Sequence, residues 1–106
     1  MIKYKVAGNT RTAALAAALA GSLLNDTVEL TAIGAAAVNT CVKAVAVAEK
    51  MINSSQPQET QSQITAHAEF TEVIIDDADA DGEDKATVRQ AIKFSLSCVP
   101  ISAPVQ

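Results

Sequence analysis

Thr31-Ala32-Ile33-Gly34-Ala35-Ala36-Ala37-Val38-Asn39-Thr40-Cys41-Val42-Lys43-Ala44-Val45-Ala46-Val47-Ala48-Glu49-Lys50-Met51-Ile52 is the stretch that decides the fold. Val28 to Ile33 reads as a strand that enters it, Gly34 as the turn, and the remainder as a helix. Glycine lacks a Cβ and takes the tight or left-handed backbone that such a turn requires. At about 100° per residue, Val38, Cys41, Val45, Ala48 and Ile52 fall on one apolar stripe. Asn39, Lys43 and Lys50 fall within about 40° of one another on the opposite side. One face should therefore pack on a sheet, while the other presents an amide and two cations. That polar face is the first functional candidate.

Upstream, Ile2, Tyr4 and Val6 alternate with Lys3 and Lys5, the pattern of a half-buried strand. Asn9 or Thr10 is placed to cap a helix from Arg11 to Leu24. In that helix Leu15, Leu19 and Leu23 form one stripe, and Ala14, Ala17 and Gly21 a second, small-residue face. No charge occurs between Thr12 and Leu24, which implies cover on more than one side. That cover is either the sheet with the neighbouring helix or a subunit interface. Asn25-Asp26 turns the chain into the Val28 strand. Downstream, Pro57 breaks a polar linker from Asn53 to Ser62. Ile64, Ala66, Ala68 and Phe70 then alternate with Gln63, Thr65, His67 and Glu69. This third strand continues through Val73-Ile74-Ile75, with a bulge expected near Thr71 or Glu72. A fourth strand puts Val88, Ile92, Phe94, Leu96 and Cys98 on one face and Arg89, Lys93, Ser95 and Ser97 on the other.

The resulting order is βαβαββ. Strands joined through a helix should be parallel with a right-handed crossover, and the last two strands should form a hairpin. The expectation is an α/β (α+β) two-layer sandwich: a four-stranded mixed sheet with two helices on one face. Residues 1–99 form the single domain and 100–106 a loose tail after Pro100.

Several stretches together resemble the stage V sporulation protein S family. They are Ala32-Ile33-Gly34-Ala35-Ala36-Ala37-Val38-Asn39 with Val42-Lys43-Ala44-Val45-Ala46-Val47-Ala48, Lys5-Val6-Ala7, and Ala17-Ala18-Leu19-Ala20-Gly21-Ser22-Leu23. Ala68-Glu69-Phe70-Thr71-Glu72-Val73-Ile74-Ile75-Asp76 and Ala91-Ile92-Lys93-Phe94 complete the likeness, which covers roughly residues 2 to 98. The resemblance implies an Alba-like fold, a small nucleic-acid-binding module that usually dimerises. It also implies a role in regulation linked to sporulation. Nucleic acid, as DNA or RNA, and a homodimer or higher homo-oligomer are then the expected partners.

Composition narrows the alternatives. The chain has 106 residues, enough for one core, with 49% hydrophobic but only 3% aromatic residues. The core must be built from Ala, Val, Leu and Ile, and base stacking has few aromatics to use. Two cysteines, Cys41 and Cys98, lie among apolar neighbours and read as buried thiols in a reducing compartment. The uncharged run Ala13 to Leu24 is shorter than the ~20 residues of a membrane span, so a cytoplasmic protein without a membrane partner is expected.

The net charge of −4 is unevenly spread. Residues 1–50 hold five cations against three anions, and residues 51–106 hold three against nine. Overall charge thus opposes strong non-specific DNA binding but permits a local basic patch. Lys43, Lys50 and Asn39 form its centre, with Arg11, Lys3 and Lys5 as neighbours beside the Gly34 turn; such cations would meet phosphate rather than read bases.

No enzyme constellation or cofactor site is legible. His67 has no companions at ligand spacing, and the cysteines lack C-x-x-C spacing. Asp77, Asp79, Asp81 and Gly82 match half of a calcium loop, but the twelfth position is Val88 where a bidentate Glu is needed. The Asp76–Asp84 stretch therefore reads as a solvated acidic hairpin tip, which phosphates would repel. This supports an alternative: a non-enzymatic assembly adaptor with a protein partner, for which those aspartates are candidate calcium ligands.

Overall fold

The computed structural model describes residues 1–78 and 84–101, and only the backbone of 76–78 and 84–86. The elements are β1 (Ile2–Val6), α1 (Thr12–Ser22), β2 (Val28–Ala32), α2 (Ala35–Ser54), a 3-10 turn (Gln58–Thr60), β3 (Ser62–Ala78) and β4 (Asp84–Pro100). The order is the expected βαβαββ, and the class is α+β. The sheet runs β1-β2-β4-β3. β1 and β2 are parallel, with Tyr4 opposite Leu30. β4 is antiparallel to both neighbours, with Phe94 opposite Leu30 on one side and Ala68 on the other.

Alternation decides which sheet face is covered. Val28, Leu30 and Ala32 are fully buried and Val6 nearly so, facing Leu15, Ala16, Leu19 and Leu23 of the α1 segment. Ala37, Cys41, Ala44, Ala48 and Ile52 line the inward side of α2. The expected stripe is thus displaced slightly, and Val38 and Val45 flank the core rather than fill it. The alanines let helix and sheet backbones approach closely in this nearly non-aromatic core.

Four local expectations are corrected. Neither Asn9 nor Thr10 caps α1: the N-cap is Arg11, without a side-chain bond. Thr10 instead closes the preceding turn, its Oγ1 accepting the Ala7 N–H at 2.9 Å. The small-residue positions Ala14, Ala17 and Gly21 are exposed, so neither sheet nor neighbouring helix covers them. No bulge interrupts β3, whose register with β4 is continuous from Ser62↔Pro100 to Ala78↔Asp84 through Thr71↔Ala91. Finally, Pro100 still belongs to β4, and Ile101 N–H donates to Gln61 O at 3.0 Å.

The hairpin is longer than its hydropathy suggested. β3 and β4 have 17 residues each, about 58 Å when extended. β4 meets β2 only across Ile92–Leu96. Beyond Ile92 the two strands pair with each other alone and form a projecting ribbon, giving extents of 64 × 23 × 22 Å.

Candidate nucleic-acid interface

α2 begins at Gly34, whose φ of 88° and ψ of 159° only glycine adopts readily. No side chain caps that end, and the first turn carries no acid. Five residues on, Asn39 starts the outward ridge, and Lys43 and Lys50 follow on the same stripe. All three are exposed. The helical rise of ~1.5 Å per residue separates Lys43 from Lys50 by about 10.5 Å along the axis. Neither lysine has a carboxylate partner among the described residues. The ridge is not purely cationic, since Val42, Val47 and Met51 beside it are 56%, 42% and 43% exposed.

The other predicted cations divide between two sides of the sandwich. Arg11 precedes α1 at the end of the sheet where α2 also starts; nearby, a Cβ on Gly8 would lie 3.4 Å from that of Ala36. Lys3 and Lys5 alternate with the inward Ile2, Tyr4 and Val6, so they occupy the bare sheet face opposite the helices. There Glu29 holds Lys3 at 3.9 Å and Lys93 at 3.7 Å. The six cation and amide positions thus do not form one patch around Gly34. The bare sheet face also carries His67, which is exposed and 3.3 Å from Glu69.

Gly34 and Asn39 belong to a second feature that sequence reading did not reveal. An apolar groove of about 590 Å³ runs between the start of α2 and the base of the ribbon. Ala35, Val38, Asn39 and Val42 form its helical wall, and Phe70 and Ile92 its sheet wall.

Among the described residues, no three His, Cys, Asp or Glu side chains gather as a metal site. Asp77 lies in β3 with its backbone opposite Lys85. Its side chain, and Asp79 and Asp81 altogether, fall outside the described residues. Among those described, no helix is long and apolar enough to cross a membrane.

A model of the Stage V sporulation protein S (SpoVS) family matches residues 3–99, nearly the whole chain. The chain belongs to the Stage V sporulation protein S family. Curated proteins give no match to it. The matched span begins in β1 and ends within β4, so family membership covers the ridge, the groove and the ribbon together.

Proposed function

We propose that this SpoVS-family protein is a cytoplasmic, non-enzymatic regulatory module that binds the phosphate backbone of DNA or RNA through the outward ridge of α2. The observation that carries the reading is the pairing of Lys43 with Lys50. Two exposed cations share one stripe, and no described carboxylate neutralises either. Their axial separation is about 10.5 Å, and their long side chains allow both to reach phosphates of the same backbone. Asn39 and Arg11 extend the contact toward the uncapped start of α2, where backbone amides favour anions. The two unpaired thiols are consistent with the reducing cytoplasm.

The decisive measurement is equilibrium binding to single- and double-stranded DNA and RNA at several salt concentrations. Wild-type binding should weaken steeply with salt, and Lys43→Glu with Lys50→Glu should abolish most of it. Binding that is unchanged in the double variant removes the ridge from the account.

The exposed Val42, Val47 and Met51 beside the lysines favour a second reading, an adaptor whose α2 face docks on a protein. Absence of salt-dependent binding to every nucleic acid would select it.

A further inference from the structure

β1 has β2 on one side and, among the described residues, no strand on the other. Ile2 N–H donates to Thr27 O at 3.0 Å, so Ile2, Tyr4 and Val6 turn their backbone groups toward β2. Alternation then points the N–H and C=O of Lys3 and Lys5 away from the sheet. No backbone group among the described residues pairs with them. The edge closes one step later, where Ala7 gives its N–H to Thr10 Oγ1 at 2.9 Å and accepts the Thr10 N–H at 3.1 Å. The start of the opposite edge is treated differently, since Asn53 and Glu49 occupy the backbone groups of Ser62 and Ile64. β1 thus keeps two donors and two acceptors at the spacing that an added strand requires.

The two sides of this edge differ in chemistry. On the bare sheet face Lys3 and Lys5 are both exposed. Glu29 behind them is 14% exposed and held between Lys3 and Lys93, so the edge presents cations. On the helix side Tyr4 reaches up to α1, its hydroxyl 2.8 Å from Ser22 Oγ, which places that flank of α1 above β1. Ala18 and Ala14 lie one and two turns back from Ser22 on the same flank. No charge occurs there, because the chain has none from Thr12 to Leu24. A strand laid antiparallel along β1 sets the residues opposite Lys3 and Lys5 on the bare face, and the residue between them opposite Tyr4 beneath α1. Acidic side chains suit the first two positions and an apolar one the third. The lysines that attract such a strand would repel a second β1, so the edge is poorly made for its own copy. A phosphate backbone would meet the lysines but leave the four backbone groups unpaired.

We propose that β1 receives an extended segment of another protein, in which acidic residues alternate with apolar ones, as a fifth strand of the sheet. Main-chain hydrogen bonds to Lys3 and Lys5 supply the attachment, and their ammonium groups select the acidic residues. The contact uses no residue of the α2 ridge and does not depend on what that ridge binds.

The test is an NMR titration of the isotope-labelled full chain with a capped peptide of alternating valine and glutamate. The amides of Lys3 and Lys5 should shift and exchange more slowly with solvent, while those of Lys43 and Lys50 stay in place. N-methylation of the peptide's glutamates removes the N–H groups that face β1 and should abolish binding, whereas N-methylation of its valines should not. A peptide with lysine in place of glutamate should bind at least ~10-fold more weakly, because like charges then face each other. Lys5→Glu should lose as much toward the original peptide, and Lys43→Glu should lose nothing. Far-UV circular dichroism verifies that each variant is folded. Silence of the Lys3 and Lys5 amides at about 1 mM peptide overturns the proposal. So does equal binding of the peptide methylated at glutamate or of the lysine peptide, or release of the peptide by Lys43→Glu rather than Lys5→Glu. Duplex DNA that shifts the Lys3 and Lys5 amides where the peptide does not would assign the edge to nucleic acid instead.

Discussion

Asn53 and Ser62 are joined by two hydrogen bonds of 2.8 Å, the Asn53 amide donating to the Ser62 carbonyl and its oxygen accepting the Ser62 N–H. The side chain thereby acts as a short piece of strand along the outer edge of β3. One turn earlier on α2, Glu49 accepts the Ile64 N–H at 2.9 Å. Two α2 side chains therefore satisfy the start of an edge strand that would otherwise offer open backbone groups. They also fix how the long hairpin leaves the helix. Asn53→Ala should destabilise the protein by about 1–3 kcal/mol, because it strands two partly buried backbone groups. Urea denaturation measures this, and a loss below a few tenths would show that water replaces the amide.

Gly34 provides a cleaner backbone test. Its dihedrals lie where residues other than glycine are strained, yet an added Cβ would meet nothing within 4 Å. Gly34→Ala should therefore cost about 1–3 kcal/mol from conformation alone, without any clash. Thermal unfolding would show it, and an unchanged midpoint would mean that the turn accepts another conformation.

The legible parts of the chain are those where period and packing agree. Leu15, Leu19 and Leu23, and Val28 and Leu30, announced their buried faces because helical and strand periods separate them cleanly. Thr10 misled because a hydroxyl before a helix can serve either the helix amides or the preceding turn, and here it bonds to Ala7. The Phe70–Ile75 stretch misled for another reason. A bulge would have rephased its apolar residues toward a covered face. The register instead stays continuous, and Phe70 and Ile74 remain exposed. The ridge of Lys43 and Lys50 followed from helical spacing, whereas the placement of Lys3 and Lys5 on the opposite side required knowing which sheet face the helices cover.

The two thiols should differ in reactivity. Cys41 is 1% exposed, and burial pushes its thiol up to about 11 from an ordinary 9.0. Its neutral form is thus favoured in the folded state. That contribution to stability is complete below pH 9.0 and is lost as pH rises toward 11. An aromatic disulfide reagent at neutral pH should modify Cys98 well before Cys41, whose modification should wait for unfolding. Equal rates in the folded protein would contradict the buried position of Cys41.

At the acidic end of the scale Asp26 plays the converse part. The terminal ammonium of Met1 at 3.0 Å, with the Thr27 N–H at 2.7 Å, holds its carboxyl below the ordinary 3.8. A depressed carboxyl contributes stability above its unfolded value and loses it as pH falls through the folded one. Asp26→Asn should therefore flatten the stability profile below about pH 4 while changing little above neutrality, where exposure and salt screen the pair. A profile equally steep in the variant would assign the acid limb elsewhere.

The two cationic faces give the last and most discriminating prediction. Each lysine that meets a phosphate contributes about 0.9 to the slope of log affinity against log salt on duplex DNA. Lys43→Gln with Lys50→Gln should thus lower that slope by about 1.8 for each chain engaged. Lys3→Gln with Lys5→Gln removes the same formal charge from the sheet face, where Glu29 already bridges Lys3 and Lys93. Its effect should be limited to long-range attraction: a modest loss of affinity at low salt that fades above about 0.15 M, where the screening length is ~8 Å. Because both pairs change net charge equally, general electrostatics cannot separate them, whereas direct phosphate contact does. Equal slopes for the two variants would mean that neither face makes the contact on its own.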